Sequence, residues 1–171
     1  MPYGTWIIRE IESPKGYVLS EEEIAVTIGK VDEVVEIELV NYFIKGNIAL
    51  TKVDEDYPDN KLSGAVFEVY SDTNGDGKLD KDDTLLGEMK ELDGGVYQMS
   101  ELRYGKYLVK ESKAPTGFVL DENVYSVSVE ENGKTYTVEN KAGVGFINAA
   151  QKGSLKIVKT SSDGKVEGFS F

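Results

Sequence analysis

Cysteine and histidine are both absent from this 171-residue sequence. Without cysteine there can be no disulfide and no thiolate metal site, and without histidine the commonest general base and the imidazole-dependent zinc sites are gone as well. Most familiar enzyme chemistry is thereby excluded. No apolar run approaches the roughly 18 residues that span a bilayer, so membrane insertion is not expected. The N-terminus also lacks a basic region followed by an apolar stretch and a cleavage site, and the sequence reads as a piece of a longer protein. Basic residues are few: 19 Lys and Arg stand against 31 Asp and Glu, a formal net charge of −12. Nucleic acid and anionic membrane are therefore unsuitable partners, because phosphate binding needs clustered Lys and Arg, whereas cations are suitable. What remains, 40% hydrophobic and 29% charged residues, is enough apolar material to bury a core.

Short alternating segments dominate: "WIIRE", "IAVTI", "VVEIELVN", "NIALTKVD", "AVFEVY", "YGKYLVKE", "VYSVSV", "KTYTVEN" and "SLKIVK" all have strand character, rich in Tyr, Val and Ile. Turn residues punctuate them in "SPKG", "NGDG", "LDGG", "APTG", "ENGK" and "SSDG". The pattern predicts an all-β sandwich.

Self-similarity divides the chain. "YGTWIIREIESPKGYVL" at 3–19 matches "YGKYLVKESKAPTGFVL" at 104–120 without a gap, and "KGNIALTKVDE" at 45–55 matches "KGSLKIVKTSS" at 152–162. Asn41 precedes Lys52 by eleven residues and Asn148 precedes Lys159 by eleven, each pair with a Lys-Gly between them. The expected organisation is the C-terminal half of a preceding repeat at 1–44, a complete domain at 45–152, and the first strand of a following repeat at 153–171. Open ends of this kind expose strand edges, which suggests neighbouring repeats as partners and head-to-tail association between the ends of different molecules.

Counting by twos along the strands puts three polar residues on the core face. Lys52 follows Ile48 and Leu50, Glu111 follows Tyr107 and Val109, and Asn148 follows Val144 and Phe146. The partial repeats carry the same pattern: Glu10 after Trp6 and Ile8, Asn41 after Ile37 and Leu39, Lys159 after Leu155 and Ile157. A buried Lys–Glu ion pair capped by an amide accounts for one such triplet at roughly neutral stability, but recurrence argues for chemistry. Burial pushes a lysine toward the neutral, nucleophilic amine and a glutamate toward the protonated acid. Together with an asparagine carbonyl polarised by that acid they form a transamidation set, in which the lysine attacks, the glutamate shuttles a proton and ammonia leaves. Asn140, in "TVENK", lies on the same face by parity and is an alternative acceptor; the eleven-residue spacing favours Asn148.

At these residues the sequence resembles the Cna protein B-type domains, the transthyretin-like, immunoglobulin-like Greek-key β-sandwiches of Gram-positive surface adhesins and sortase-assembled pilins. "ALTKVDED…LSGAVFEVY" is similar to the family's opening, "YGKYLVKESKAPTGFVL" to its glutamate segment, and "FIN…KG" to its closing strand. The resemblance implies an autocatalytic isopeptide bond between Lys52 and Asn148 with Glu111 as catalyst, with Glu10, Asn41 and Lys159 as the equivalents in the partial repeats. It further implies a stalk or pilin-like module of an extracellular, wall-attached surface protein that turns over no external substrate. The second reading is an adhesin module that grips a host protein or glycan, its ligand unknown. No LPxTG-like sorting signal is present.

One segment points to a cofactor. "DTNGDGKLDKDD" at 72–83 fits the twelve-position calcium loop, with Asp72, Asn74 and Asp76 at positions 1, 3 and 5 and Gly77 at the sharp turn. The Lys78 backbone carbonyl falls at position 7, Asp80 at 9 and Asp83 at 12, where glutamate is usual. The flanks have strand rather than helix character, so the expectation is a structural loop or, failing calcium, an acidic hairpin tip.

Overall fold

A computed structural model describes residues 1–158, 160 and 162 of the chain. Two strands, β1 (Gly4–Arg9) and β2 (Glu23–Ile28), form an antiparallel hairpin sheet at the N-terminus. The remaining nine belong to residues 45–152: β3 (Lys45–Asp54), β4 (Val66–Ser71), β5 (Thr84–Glu88), β6 (Lys90–Glu91), β7 (Val96–Arg103), β8 (Gly105–Lys113), β9 (Val124–Val129), β10 (Thr135–Thr137) and β11 (Phe146–Asn148). One sheet runs β10-β3-β7-β6 with β11 also on β3, and the other runs β5-β4-β8-β9. The two pack as the expected sandwich.

Alternation determines which residues enter the core. Along β3 the side chains of Ile48, Leu50 and Lys52 are all buried while Asn47, Ala49 and Thr51 are half-buried. Ile48, Leu50, Phe67, Val69, Tyr97, Val109, Val129 and Phe146 form the centre. Phe146 stands edge-on to Phe67 at 4.9 Å and to Tyr125 at 5.2 Å between ring centroids, a geometry that suits aromatic quadrupoles. The first and last strands of the sandwich are parallel neighbours: β10 pairs with β3 at 47–49, and β11 pairs with it at 52–54. Between the two contacts the chain leaves the sheet and returns through a turn closed by the Lys141–Gly145 bridge. Gly145 has φ +134°, and a Cβ there would lie 2.8 Å from the Thr51 carbonyl oxygen, so only glycine lets β11 dock this closely.

Three strand expectations need correction. "VVEIELVN" forms no strand: residues 34–41 run without sheet pairing, and Val34, Val35, Ile37, Leu39 and Val40 are exposed. In the complete repeat the end of the equivalent segment, Phe146–Asn148, pairs with β3, but nothing among the described residues offers residues 34–41 such a partner. The closing strand of the complete repeat is also short, because Lys141–Gly145 is a turn and only Phe146–Asn148 pairs. Residues 154–158 likewise hold no strand, while Lys159 and residues 163–171 of the expected following repeat lie outside the described residues.

The N-terminal hairpin is tied to the sandwich through its own continuation. Tyr17 bridges Phe43, the Ile44 amide donates to the Gly16 carbonyl, and the Tyr104 amide donates to the Ile44 carbonyl. The Arg103 guanidinium lies 3.9 Å from the Phe43 ring centroid.

Candidate crosslinking site

The three polar residues predicted on the core face meet in one place. Register puts Lys52 of β3 opposite Phe146 of β11 and Asn148 two residues further on the same face. Glu111 enters from the facing sheet on β8, opposite Phe67 of β4. Lys52 and Glu111 are 0% exposed and Asn148 is 3% exposed. The Lys52 Nζ donates to the Phe146 carbonyl at 3.0 Å, lies 5.2 Å from the centre of the Phe146 ring, and stands 3.9 Å from Glu111 Oε1.

Glu111 Oε2 accepts from the Asp121 backbone amide at 2.8 Å and from Asn148 Nδ2 at 2.9 Å. Asn148 Nδ2 also donates to the Val119 carbonyl at 2.7 Å. A carbonyl can only accept, so this second bond fixes which end of the amide is nitrogen. The glutamate therefore sits on the amide nitrogen, the leaving group of a transamidation, and not on the carbonyl as expected from sequence. Asn148 Oδ1 and Glu111 Oε1 are the buried side-chain atoms left without a hydrogen-bond partner among the described residues.

Burial governs the ionisation of this pair. It pulls Lys52 down to about 8, against the attraction of the Glu111 and Asp121 carboxylates. It raises Glu111, against the Asp121 amide, the Asn148 amide and Lys52. Both shifts favour a neutral amine beside a neutral acid.

Asn140, the alternative acceptor, is engaged elsewhere. Its Nδ2 donates to the Ile147 carbonyl at 2.9 Å and to Asp121 Oδ2 at 2.8 Å, and its Oδ1 accepts from the Ile147 amide at 2.6 Å. Asp121 Oδ2 also accepts from the Tyr125 hydroxyl at 2.7 Å. Burial works to raise the Asp121 pKa, but the bonds from Asn140, Tyr125 and Asn123 outweigh it and the net shift is downward. Sequence reasoning did not single out Asp121 or Val119. The sequence signal was the alignment of "YVLS" at 17–20 with "FVLD" at 118–121, which places Ser20 and Asp121 ten residues after the glutamates whose carboxylates accept their amides.

The first repeat builds two-thirds of the same arrangement. Glu10 Oε2 accepts from the Ser20 amide at 2.8 Å and Glu10 Oε1 from Asn41 Nδ2 at 2.6 Å. Both side chains are half-buried. Here the pKa of the glutamate is lowered, first by the Ser20 amide and then by Asn41. Lys159, the sequence equivalent of Lys52, lies outside the described residues.

The acidic loop at 72–83 connects β4 to β5, as its flanks predicted. Asp72 is buried, accepting from the Gly75 amide at 2.7 Å and the Gly77 amide at 3.1 Å. Gly77 has φ +75°, which matches the glycine expected at the sharp turn. Asp83 accepts from the Thr73 and Asp80 amides, Asp76 from the Lys78 amide, and Asn74 donates to Asp80 at 3.3 Å. The donor types suit calcium, but their oxygens bind the loop's own amides, and among the described residues no three acidic side chains converge to hold an ion.

Comparison with known proteins agrees with the fold. No curated protein matches the sequence. Among solved structures, the Bacillus anthracis TIE protein superposes with a TM-score of 0.71 at 29% identity, over 88% of this chain and 26% of that one. A streptococcal ancillary pilin (24% identity, 88% of this chain, 43% of that one, TM-score 0.45) and BcpA, the major pilin subunit of Bacillus cereus (24%, 78% and 35%, 0.49), are more distant. At those TM-scores the superposition carries no structural argument. The chain thus spans about a quarter of the TIE protein's length, 26%. Among the described residues no helix is long and apolar enough to cross a membrane. The SpaA prealbumin-like fold domain profile matches residues 1–42 and 46–143, so the chain belongs to that family, the B-type β-sandwich that its repeated Lys, Glu and Asn segments resembled.

Proposed function

We propose that residues 45–152 form a structural, pilin-like module of a Gram-positive surface protein, wall-attached and extracellular, which locks itself with a Lys52–Asn148 isopeptide bond. The observation that supports this is the sealed triad: a lysine and a glutamate at 0% exposure, an asparagine at 3%, and two oxygens among them with no hydrogen-bond partner among the described residues. An unsatisfied buried polar atom costs about 1–3 kcal/mol. The Asn148 carbonyl oxygen is thus free to take up charge, and the Glu111 oxygen that faces Lys52 Nζ at 3.9 Å is free to take its proton.

The step balances without a cofactor. Proton transfer from the Lys52 ammonium to Glu111 leaves a neutral amine and a neutral acid. The Nζ lone pair attacks the Asn148 Cγ. As that carbon turns tetrahedral Nδ2 gains a lone pair, its contact with Glu111 reverses from donor to acceptor, Nδ2 takes the carboxylic proton, and the Cγ–Nδ2 bond breaks. A proton of the attacking Nζ returns to Glu111, and ammonia is released. The chain is consumed as its own substrate, once. By chain-entropy reasoning a tie between the terminal strands contributes on the order of 4–5 kcal/mol.

Intact mass tests the reading. The expected mass is the sequence mass less one ammonia, restored to full by Lys52→Ala; the unmodified mass in the wild-type chain would overturn it. Calcium in the 72–83 loop is proposed as a second stabiliser, supported by donor type and spacing, with Asp72, Asn74, Asp76, the Lys78 carbonyl, Asp80 and Asp83 as ligands. Binding requires those carboxylates to exchange backbone amides for the ion. A Tm that rises on adding calcium to chelator-treated protein is the expected outcome, and an unchanged Tm would sink it.

A further inference from the structure

We infer that Asn140 and Asp121 are positioning residues for the crosslink, holding the three-residue strand β11 so that Asn148 faces Lys52. The inference rests on the crosslinking function proposed above.

The strand that carries Asn148 is short. After it the chain is held by the Phe118–Ala150 bridge and by the Val119 amide donating to the Ala149 carbonyl, but before it, among the described residues, only by the turn and the Asn140 side chain. The strand pairs with β3 over Phe146, Ile147 and Asn148 alone, after a turn that takes the chain away from β3. The Asn140 side chain offers that strand what a neighbouring backbone would: its Oδ1 accepts from the Ile147 amide and its Nδ2 donates to the Ile147 carbonyl. A planar amide bonding both groups of one residue fixes that residue's rotation about the strand axis, and Ile147 precedes the acceptor directly. Asp121 holds the clamp in turn. Its carboxylate takes the second Nδ2 hydrogen of Asn140, while its backbone amide binds Glu111 Oε2. One residue thus orients both the strand bearing the acceptor and the proton carrier.

The first repeat supplies an internal contrast. Residues 1–40 contain no asparagine, and Ser20 stands ten residues after Glu10 where Asp121 stands after Glu111. There the chain before Asn41 forms no strand.

The test follows ammonia loss by intact mass, as a time course, on full-length chains made by cell-free synthesis. In Asn140→Ala the rate per folded molecule should fall about tenfold or more, since an ångström-scale misplacement of reacting groups costs up to about a hundredfold. Asp121→Ala should slow it similarly. Asp121→Asn keeps the backbone amide and an acceptor oxygen, and should recover most of the wild-type rate. Folded fraction is measured in parallel by circular dichroism, and exchange protection of the Ile147 amide is measured in the uncrosslinked Glu111→Ala background. Asn140→Ala in that background should lose this protection; retained protection would overturn the clamp. If rate per folded molecule is unchanged in Asn140→Ala, or if Asn148→Ala still loses ammonia and Asn140→Ala does not, the inference is wrong. A wild-type chain that keeps its full mass would instead defeat the crosslinking function itself.

Discussion

Glu10 and Glu111 make the same two hydrogen bonds, one from a backbone amide ten residues downstream and one from an asparagine side chain, yet their pKa values move in opposite directions. The amides alone lower a carboxyl, as they do at Glu10. At Glu111 a closed sandwich adds enough desolvation to reverse the sign. The motif therefore assembles from a hairpin and a returning segment, while the raised pKa belongs to the copy that a second sheet covers. Motif and burial are separable, and this one chain contains both cases.

The largest effect should come from deleting each glutamate in turn. Glu111→Ala is expected to abolish ammonia loss and to cost on the order of 4–5 kcal/mol of stability, read as a drop in Tm and in denaturant midpoint. Glu10→Ala should leave the mass of the chain as it was and lower Tm far less than Glu111→Ala does. Equal effects at the two sites would erase the distinction.

A smaller loss is expected from Gly145→Ala, which forces an unfavourable φ and a Cβ against the Thr51 carbonyl. It should cost about 1–3 kcal/mol and slow crosslinking, because β11 can no longer seat on β3. The complete repeat would then approach the condition of residues 34–41. Normal stability and normal rate together would show that the close approach is dispensable.

The finest test reads the two carboxyls directly. In Lys52→Met, which cannot crosslink, carbon-detected NMR should show Glu111 titrating above the ordinary glutamate range and Glu10 below it. The raised Glu111 binds more protons folded than unfolded, so this variant should lose stability as pH rises from the ordinary glutamate value through the Glu111 pKa. A Glu111 that titrates with Glu10 would mean that solvent reaches the site.

How much of this was legible beforehand depended on range. Lys52, Glu111 and Asn148 could be placed by parity because each shares a strand with apolar neighbours, and the sandwich followed from alternation and turns. The internal repeat marked the same three positions twice. What could not be read were features set by contacts between distant segments. The amide orientation of Asn148 depends on the Val119 carbonyl, 29 residues away. Parity made Asn140 a competing acceptor, when its amide is used up on Ile147 beyond a turn. "VVEIELVN" has every local mark of a strand, but strand formation there requires a neighbour the described residues do not provide. The strand "VYQMSELR", residues Val96–Arg103, carries polar side chains that diluted its alternation, and it is secured instead by β3 and β6 on either side.

The parallel pairing of β3 with β11 bears on what happens when such a module is pulled from its two ends. Tension entering at Lys45 and leaving after Asn148 would act on two strands that lie side by side and point the same way. With Lys52 joined to Asn148, that tension passes from one strand to the other through a single covalent bond. The residues from 53 to 147, about 95 of them and roughly 310–340 Å if drawn straight, lie outside the path and bear none of it. The sandwich could then melt locally and refold while the distance between its two ends stayed the same.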